Sequence, residues 1–170
     1  MDTEREGRAE RAARAEPRER PARGGPIDMG ILPDLLGYNL RRAHLHVFAH
    51  LGALFAGRDI SAPQYGTLLL IEANPGISQS AVAEALRFDR STLVQIIDRL
   101  ERRGLVVREV AAHDRRSHAL RLTEAGAALL AELVALNAEH ERQIAAPLTG
   151  AERADLIRLL EKIYNQETRR

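Results

Sequence analysis

The sequence predicts a mainly α-helical fold built around a winged helix-turn-helix, and three observations carry this prediction. An amphipathic segment with polar and basic side chains on one face starts after Asp89 and ends at Gly104. Two short runs of alternating residues follow it, LVVREV and HALRL, as expected for the two strands of a β-wing. Further capped segments with helical apolar periodicity precede and follow this unit. Together they predict six helices plus a two-stranded β-wing, with a helical dimerisation region.

The six helices are predicted from their caps and their apolar periodicity. The first is expected from about Asp34 to Ala56, with Asp34 as its N-cap and one apolar stripe along it. The others each begin at a hydroxyl or carboxylate cap, and these caps are Ser61, Ser78, Asp89, Thr123 and Thr149. Gln64 and Glu152 stand three residues after a cap, which predicts capping boxes for the second and sixth helices.

Composition excludes several classes of protein. The chain has 170 residues, enough for one domain or for one domain with a tail. It holds no cysteine, which excludes disulfides, thiolate nucleophiles and cysteine-based redox sensing. No apolar run is long enough to cross a bilayer, and the start has no signal-peptide pattern. We therefore expect a cytoplasmic protein with no membrane partner.

The first helix and the last two carry more apolar surface than one small helix-and-wing unit can cover. Leucine and isoleucine recur at helical spacing from Leu129 to Leu136 and from Leu156 to Ile163. Burial against a second copy of the chain is the economical solution, so we expect a two-fold homodimer. Packing of the same helices within one chain is the alternative.

The fourth helix has the side chains expected of a helix that reads the major groove of double-stranded DNA. Glutamine can bind adenine through two hydrogen bonds, valine can contact a thymine methyl group, and hydroxyls can contact bases or phosphates. Serine and glutamine at the start of the third helix are placed for phosphate contacts. An ordinary solvated helix face is the alternative. The predicted contacts from these two helices are Ser78, Gln79, Arg90, Ser91, Thr92, Val94, Gln95 and Arg99.

The loop predicted between the two strands concentrates charge at the tip of the wing. It holds Asp114, Arg115 and Arg116, which we add to the predicted DNA contacts. An arginine at a hairpin tip can enter a narrow minor groove, and a neighbouring carboxylate can orient it through a bidentate pair. The segment from Arg87 to Arg116 has eight arginines against five carboxylates. The positive charge therefore lies where a phosphate backbone requires it.

The stretch ALRFDRSTLVQIIDRLERRGLVVREVAAHDRRSHALRLTEAG resembles the recognition helix and wing of the MarR family of bacterial transcription regulators. The resemblance extends over about residues 36–164. It implies a homodimer that binds a pseudo-palindromic operator, usually repressing transcription until a small ligand binds. It also implies that Arg116 is the minor-groove arginine, that Asp114 orients it, and that Asp89 pairs with a wing arginine. Several members carry a basic residue where this chain has Gln95, so the base preference at that position does not carry over.

The chain is expected to comprise one domain and a tail. Residues 1–26 contain almost nothing apolar larger than alanine, so they cannot offset their ordering entropy and are predicted to be a disordered N-terminal tail. An arm that adds DNA contacts is the alternative for this segment. Residues 27–170 form the MarR-like winged-helix domain. Its DNA-binding lobe is expected at about 61–123, and its dimerisation helices at about 34–57 and 123–166.

The resemblance also implies a ligand site between the first, second and fifth helices, near the cleft of the dimer. Aromatic side chains with two adjacent arginines suit an aromatic carboxylate, or an aryl-CoA whose phosphates contact the arginines. The alternative is that the aromatics belong to the core and the arginines are solvated. The candidate ligand-binding residues are Tyr38, Arg41, Arg42, His46, Phe48, Phe55 and Tyr65.

Other classes of function are less well supported by the sequence. His46 and His50 lie one helical turn apart, which makes a metal-responsive regulator an alternative, but cysteine and nearby acidic partners are missing. We predict no metal and no cofactor. There is no phosphate-binding glycine loop, nucleophile elbow or metal-hydrolase spacing, so we expect no enzyme. The other alternative is a winged-helix module that binds protein and has no sequence-specific DNA binding. Such a module predicts a neutral wing tip, whereas the wing tip of this chain carries two arginines.

Overall fold

The structure, a computed structural model, describes residues 27–111 and 114–165, and this part of the chain contains six α-helices, two 3-10 helices of one turn each and three strands. The helices are α1 (Leu36–Phe55), α2 (Ala62–Ala73), α3 (Gln79–Ala85), α4 (Arg90–Arg102), α5 (Glu124–Ala145) and α6 (Gly150–Tyr164). The strands are β1 (Ile77–Ser78), β2 (Val106–Ala111) and β3 (Asp114–Leu122). The predicted winged helix-turn-helix is confirmed, and no helix in the described ranges is long and apolar enough to cross a membrane. The predicted tail, residues 1–26, lies outside the described residues.

The chain divides after Arg41 into an N-terminal unit and a main unit. In the N-terminal unit, the predicted N-cap of the first helix is wrong. Asp34 ends a single-turn 3-10 helix, Leu32–Asp34, because Pro33 lies inside this tighter turn and Leu35 then takes an extended conformation before α1 begins. The side-chain amide of Asn39 donates to the carbonyls of Pro33 and Leu35, at 2.7 and 2.9 Å.

The five caps predicted for the other helices are present. Each side chain accepts a hydrogen bond from a backbone N–H of the first turn, and the residues are Ser61, Ser78, Asp89, Thr123 and Thr149. Both capping boxes also form. Gln64 Oε1 accepts from the Ser61 N–H at 2.8 Å, and Glu152 Oε2 accepts from the Thr149 N–H at 2.7 Å. The backbone and then the hydroxyl of Thr149 hold the pKa of Glu152 below its usual value.

The three strands form one antiparallel sheet in the order β1-β3-β2. β2 and β3 are the predicted wing. The backbone of residues 114–116 belongs to β3, so the prediction that these residues form a loop is wrong: a register shift after Val110 lets Ala111 pair with Asp114 and extends the ladder. β1 was not predicted, because two residues are too few to show an alternating pattern; it pairs with β3 far along the chain, Ile77 opposite Leu120.

One face of α4 is buried in the core, which leaves the opposite face exposed. Leu93, Ile97 and Leu100 are buried, and Ile96 is partly buried. Their spacing of three to four residues places them on one side of the helix. The same core also includes Leu51 and Phe55 of α1, Leu68 and Ile71 of α2, Val82 of α3, Val106 and Leu120 of the sheet, and Leu130 and Leu133 of α5.

The C-terminal end of α4 is fixed by two features. Gly104 has a φ of 66°, a left-handed conformation that favours glycine, and it turns the chain into β2. Arg103 donates hydrogen bonds to the carbonyls of Asp59 and Arg58, at 2.5 and 2.9 Å, in the turn between α1 and α2. The helix is therefore held at this end by the main chain of a neighbouring element.

The sixth helix carries apolar side chains that are not buried. Among the described residues of α6 none is buried, and four apolar side chains are between 41% and 49% exposed: Leu156, Ile157, Leu159 and Ile163. Several exposed apolar side chains on one helix are typical of a protein interface. The assignment of α1, α5 and α6 to dimerisation stays a prediction.

Candidate nucleic-acid interface

Asp89 holds the start of α4. Its Oδ1 accepts from the Ser91 hydroxyl at 2.5 Å and from the Thr92 N–H at 2.7 Å, and its Oδ2 accepts from the Thr92 hydroxyl at 2.7 Å. These hydrogen bonds, first that of Ser91 and then those of Thr92, hold the pKa of Asp89 well below its usual range. The carboxylate therefore stays charged at the N-terminal end of the helix, where the helix dipole favours negative charge.

The same hydrogen bonds restrict what Ser91 and Thr92 can do for DNA. A hydroxyl has one proton to donate, and in both residues that proton is directed to Asp89. What remains is an oxygen that can accept. An acceptor can bind the amino group of adenine or cytosine in the major groove, whereas a phosphate needs a donor. The geometry therefore favours base contacts over phosphate contacts for these two residues.

Exposed side chains of α4 line two grooves. One groove, of about 320 Å³, lies between α3 and α4 and is lined by Gln79, Ser80, Ala83, Arg90, Leu93 and Val94. The other, of about 140 Å³, lies between α4 and the start of α2 and is lined by Ser61, Gln64, Thr92, Gln95, Ile96 and Arg99. The structure thus brings three of the predicted DNA contacts together on each side of α4.

The start of α3 includes a residue that the sequence analysis did not name. Ser78 caps the helix by accepting from the Ala81 N–H at 3.2 Å, and its hydroxyl lies 3.0 Å from that of Ser80. Ser80 is exposed and lines the same groove as Gln79. The repeated serine of Ser-Gln-Ser was the signal that could have identified it. A phosphate contact by Ser78 or Gln79 stays a prediction.

The side chains at the tip of the wing lie outside the part of the protein that the structure describes. Asp114, Arg115 and Arg116 are described in their backbone only, as the first residues of β3, and residues 112 and 113 lie outside the described ranges. The minor-groove contact of Arg116 and the pairing of Asp89 with a wing arginine therefore stay predictions.

The aromatic residues predicted to bind a ligand lie in different surroundings. Phe55 and Tyr65 are buried, and their rings meet edge to face with centroids 5.0 Å apart. Burial, and then the charge of Glu141, raises the pKa of Tyr65. Phe48 is exposed, with its ring 4.4 Å from that of His44.

The polar members of the predicted ligand site are also separated. Arg42 is exposed, whereas Tyr38 and Arg41 belong to the N-terminal unit. His46 lines an apolar cavity of about 400 Å³ between α1, α5 and α6. The polar edge of this cavity is the pair Glu141 and Arg153, whose Oε2 and Nη2 atoms are 2.9 Å apart. Its apolar walls are Ala43, Val47, Ile144, Ala145, Leu148, Leu156, Ile157 and Leu160.

His50 is engaged by a histidine of α5. Its Nδ1 lies 2.6 Å from Nδ1 of His140, and the two rings are stacked with centroids 5.0 Å apart. Burial, and then the charge of His50, lowers the pKa of His140, against the opposite effect of Glu141. The metal-responsive alternative needs His50 as a ligand together with His46. Within the described ranges no group of three or more histidines and carboxylates is placed to hold a metal ion.

Comparison with known proteins agrees with this geometry. The family model described as MarR family matches residues 58–117. A protein of Thauera aromatica, whose name links it to transcriptional regulation of the hcr operon, is 36% identical over 140 residues, which are 82% of this chain and 84% of that protein. The solved structure of the transcriptional repressor CouR bound to a 23-mer DNA duplex is 40% identical, with a TM-score of 0.79, over 82% of this chain and 99% of that chain.

A second structure shows CouR bound to p-coumaroyl-CoA; it is 37% identical, with a TM-score of 0.77, over 83% of this chain and 99% of that chain. These comparisons include α2 to α4 and β2, which lie within the residues that the family model matches. They confirm the predicted family, and with it the prediction of a ligand-responsive transcription regulator. The chain belongs to the MarR family of transcription regulators.

Proposed function

We propose that the protein is a homodimeric repressor that binds a pseudo-palindromic operator and releases it when a small aromatic acid or its CoA thioester binds. The exposed face of α4 carries this proposal, since Arg90, Val94 and Gln95 stand on a helix whose opposite face is buried. Base contacts need side chains on a rigid element, because hydrogen bonds depend steeply on geometry. The likeness to MarR-family transcription regulators supports two further parts of the proposal. The protein has no enzymatic activity, and it works in the bacterial cytoplasm, where its DNA lies.

In this proposal α4 enters the major groove and the wing reaches the adjacent minor groove. Gln95 contacts an adenine, Val94 contacts a thymine methyl group, and Arg90 contacts the backbone. Arg116 enters the minor groove with Asp114 as its orienter. The lobe of residues 61–123 thus supplies both reading elements.

Two copies are needed to read a pseudo-palindrome, because each half-site is contacted by one α4. The unburied apolar face of α6 is the surface that a second copy would cover, together with α1 and α5. The helices at about 34–57 and 123–166 then form the two-fold interface. Such an interface is self-complementary, so the same residues contact each other from both chains.

The effector site that we propose comprises the residues predicted from the sequence: Tyr38, Arg41, Arg42, His46, Phe48, Phe55 and Tyr65. The apolar cavity beside His46 suits an aromatic acyl group, and exposed arginine suits the phosphates of a CoA moiety. Phe55 and Tyr65 are buried against each other, so a ligand that contacts them must separate α1 from α2. That separation would favour a second conformation with weaker operator binding.

Gln95→Ala and Arg116→Ala are expected to weaken operator binding in two different ways. Gln95→Ala should relax the preference at particular base pairs and cost about 1–3 kcal/mol there. Arg116→Ala should weaken binding to all duplexes and reduce the slope of log affinity against log salt by about one for each arginine removed. Anisotropy titrations of an operator selected from random duplexes, and of a scrambled duplex, measure both effects at several salt concentrations.

Arg58→Ala is the control for these titrations, because it makes the same charge change as Arg116→Ala in the turn between α1 and α2, outside the proposed reading elements and dimerisation helices, where Arg58 pairs with Glu132. It should bind the operator as the wild-type protein does. If Gln95→Ala and Arg116→Ala also bind as the wild type at matched salt, the DNA contacts lie elsewhere.

The effector proposal predicts that an aromatic CoA thioester binds the protein and lowers its operator affinity. Calorimetric titration with p-coumaroyl-CoA, free p-coumarate and CoA separates the contributions of the aryl group and the phosphates. Arg42→Ala should weaken binding of the thioester by about tenfold, since it removes one charge-assisted phosphate contact. Arg58→Ala again serves as the control. Binding that Arg42→Ala leaves unchanged, or no binding of any aromatic acid or thioester, would contradict this site.

A further inference from the structure

Arg108 joins the wing to α4. Its side chain leaves β2 and lies between two carboxylates of the helix: Nη2 is 2.5 Å from Asp98 Oδ1, and Nη1 donates to Glu101 Oε2. The Arg108 side chain is only 19% exposed, so most of it is enclosed between the helix and the ribbon. Asp98, which helical spacing places near the DNA-reading face, is thereby engaged from the wing.

Arg121 provides a comparison within the same ribbon. Its Nε donates to Glu109 Oε2 at 2.8 Å, and these two residues belong to the paired strands β3 and β2. Both side chains are about half exposed, at 48% and 51%. Exposed pairs of this kind are screened by salt and contribute little. Arg108 instead spans two elements that are separate in the fold.

Arginine is suited to the position of Arg108. Its guanidinium is a planar fork, so two different nitrogens can donate to two carboxylates at the same time. Asp98 and Glu101 are three residues apart and therefore lie on the same side of α4. Hydrogen bonds at two points define the orientation of β2 relative to the helix, whereas a single point would define only a distance.

We propose that Arg108 is a positioning residue: it sets the angle between the wing and α4 so that both reach adjacent grooves of one duplex. The inference rests on the proposed DNA-binding function. A protein that contacts DNA through two elements binds more tightly when the distance between those elements is fixed before binding, because binding then orders less of the chain. The same arginine also offsets the charge of two carboxylates that would otherwise repel phosphates, and the experiment separates the two effects.

The free protein provides the first test. Arg108→Gln should speed amide hydrogen exchange in β2 and β3, since the wing loses its attachment to α4, and should leave exchange in α2 and α5 unchanged. Arg121→Gln is the matched control, because it makes the same substitution in the ribbon without touching α4. In Arg121→Gln, amide exchange in β2 and β3 relative to exchange in α2 and α5 should be the same as in the wild-type protein.

DNA provides the second test. On a selected operator, Arg108→Gln should lower the affinity by about tenfold, the size of an ordinary coupling between contacting groups. Hydroxyl-radical footprinting should show that minor-groove protection by the wing is lost while protection around α4 remains. In the same background, Arg116→Ala should add less than about a twofold further loss, because an unpositioned wing tip no longer contributes.

Arg108→Lys separates position from charge. Lysine keeps the positive charge but cannot donate as a planar fork to both carboxylates, so it should behave like Arg108→Gln in exchange and in footprinting. Full recovery of affinity and wing protection by Arg108→Lys would overturn the positioning role, since charge alone would then suffice.

Asp98→Asn combined with Glu101→Gln removes the same attachment from the side of the helix, and it replaces Arg108→Gln if that variant does not fold. It should give the same loss of wing protection. Wild-type exchange and footprints in these variants would overturn the inference while the DNA-binding proposal stands. Failure of the wild-type protein to bind any duplex would overturn both.

Discussion

Gly126→Ala is expected to destabilise the protein by about 3 kcal/mol, at or above the upper end of the usual cost of overpacking a core. A Cβ at position 126 would lie 2.0 Å from the carbonyl oxygen of Leu105 and 2.9 Å from its carbonyl carbon. Both atoms belong to the main chain, and that oxygen also accepts from the Thr123 N–H at 3.1 Å. The added methyl group cannot be accommodated by a rotamer change, so the start of α5 must move away from the start of β2.

Thermal and denaturant unfolding measure this effect. For a chain of this size, a loss of about 3 kcal/mol corresponds to a fall in Tm of roughly 6–12 °C. Protomer concentration must be held constant, because a dimer unfolds at a temperature that depends on it.

Gly66→Ala is the matched control for Gly126→Ala. Gly66 lies inside α2, and among the described residues no atom outside its own helix would come within 4 Å of an added Cβ. Alanine reduces the freedom of the unfolded chain, so this change should stabilise the protein by about 0.5–1 kcal/mol. The two substitutions should therefore change the free energy of unfolding in opposite directions. A Gly126→Ala protein as stable as Gly66→Ala would show that α5 does not approach Leu105, the residue before β2, this closely.

Leu159→Glu combined with Ile163→Glu is expected to convert the protein to monomers and to abolish tight operator binding. Both side chains lie on the unburied apolar face of α6, at 49% and 41% exposure. In a two-fold interface each substitution occurs twice, so four carboxylates would enter an apolar contact without partners. Removing charges from water in this way costs several kcal/mol, and even about 3 kcal/mol raises the dimer Kd more than a hundredfold.

Light scattering after size-exclusion chromatography measures the oligomeric state, and operator titration measures the loss of binding. Leu69→Glu is the control, because Leu69 is also a leucine on a helix with a comparable exposure of 38%, but it lies on α2, outside the predicted dimerisation helices. It should remain dimeric and bind DNA. A double variant that stays dimeric would place the interface on another surface.

Helix starts could be predicted from the sequence because each depends on residues within one turn. Ser61 with Gln64, and Thr149 with Glu152, form hydrogen bonds between positions three residues apart. The exception is Asp34, where Pro33 produced a 3-10 turn in front of the helix. The exposed face of α4 could be predicted for a similar reason, since the spacing of its buried residues alone determines which side is left for DNA.

The ligand site could not be predicted in the same way. Phe55 and Tyr65 have the residue types of a ligand pocket, yet their rings pack on each other in the core. Apolar periodicity identifies a side that is buried but does not distinguish an aromatic that fills a core from one that lines a cavity. His50 illustrates the same limit, because its partner His140 is 90 residues away in the chain.

The sequence by itself determined the order of the helices, five of their six caps, the outward face of α4 and the family to which the chain belongs. The order, the caps and the outward face follow from hydrogen bonds and periodicities that extend over a few residues, whereas the family follows from the resemblance of the stretch around α4 and the wing to the MarR family. Only the tertiary structure decided which polar and aromatic side chains are engaged by others: Arg108 with Asp98 and Glu101, and Phe55 with Tyr65. Such partners lie on consecutive elements, 7 to 10 residues apart in the chain. They meet only when the turn between the two elements packs one element on the other, so the pairing leaves no periodic pattern within either element.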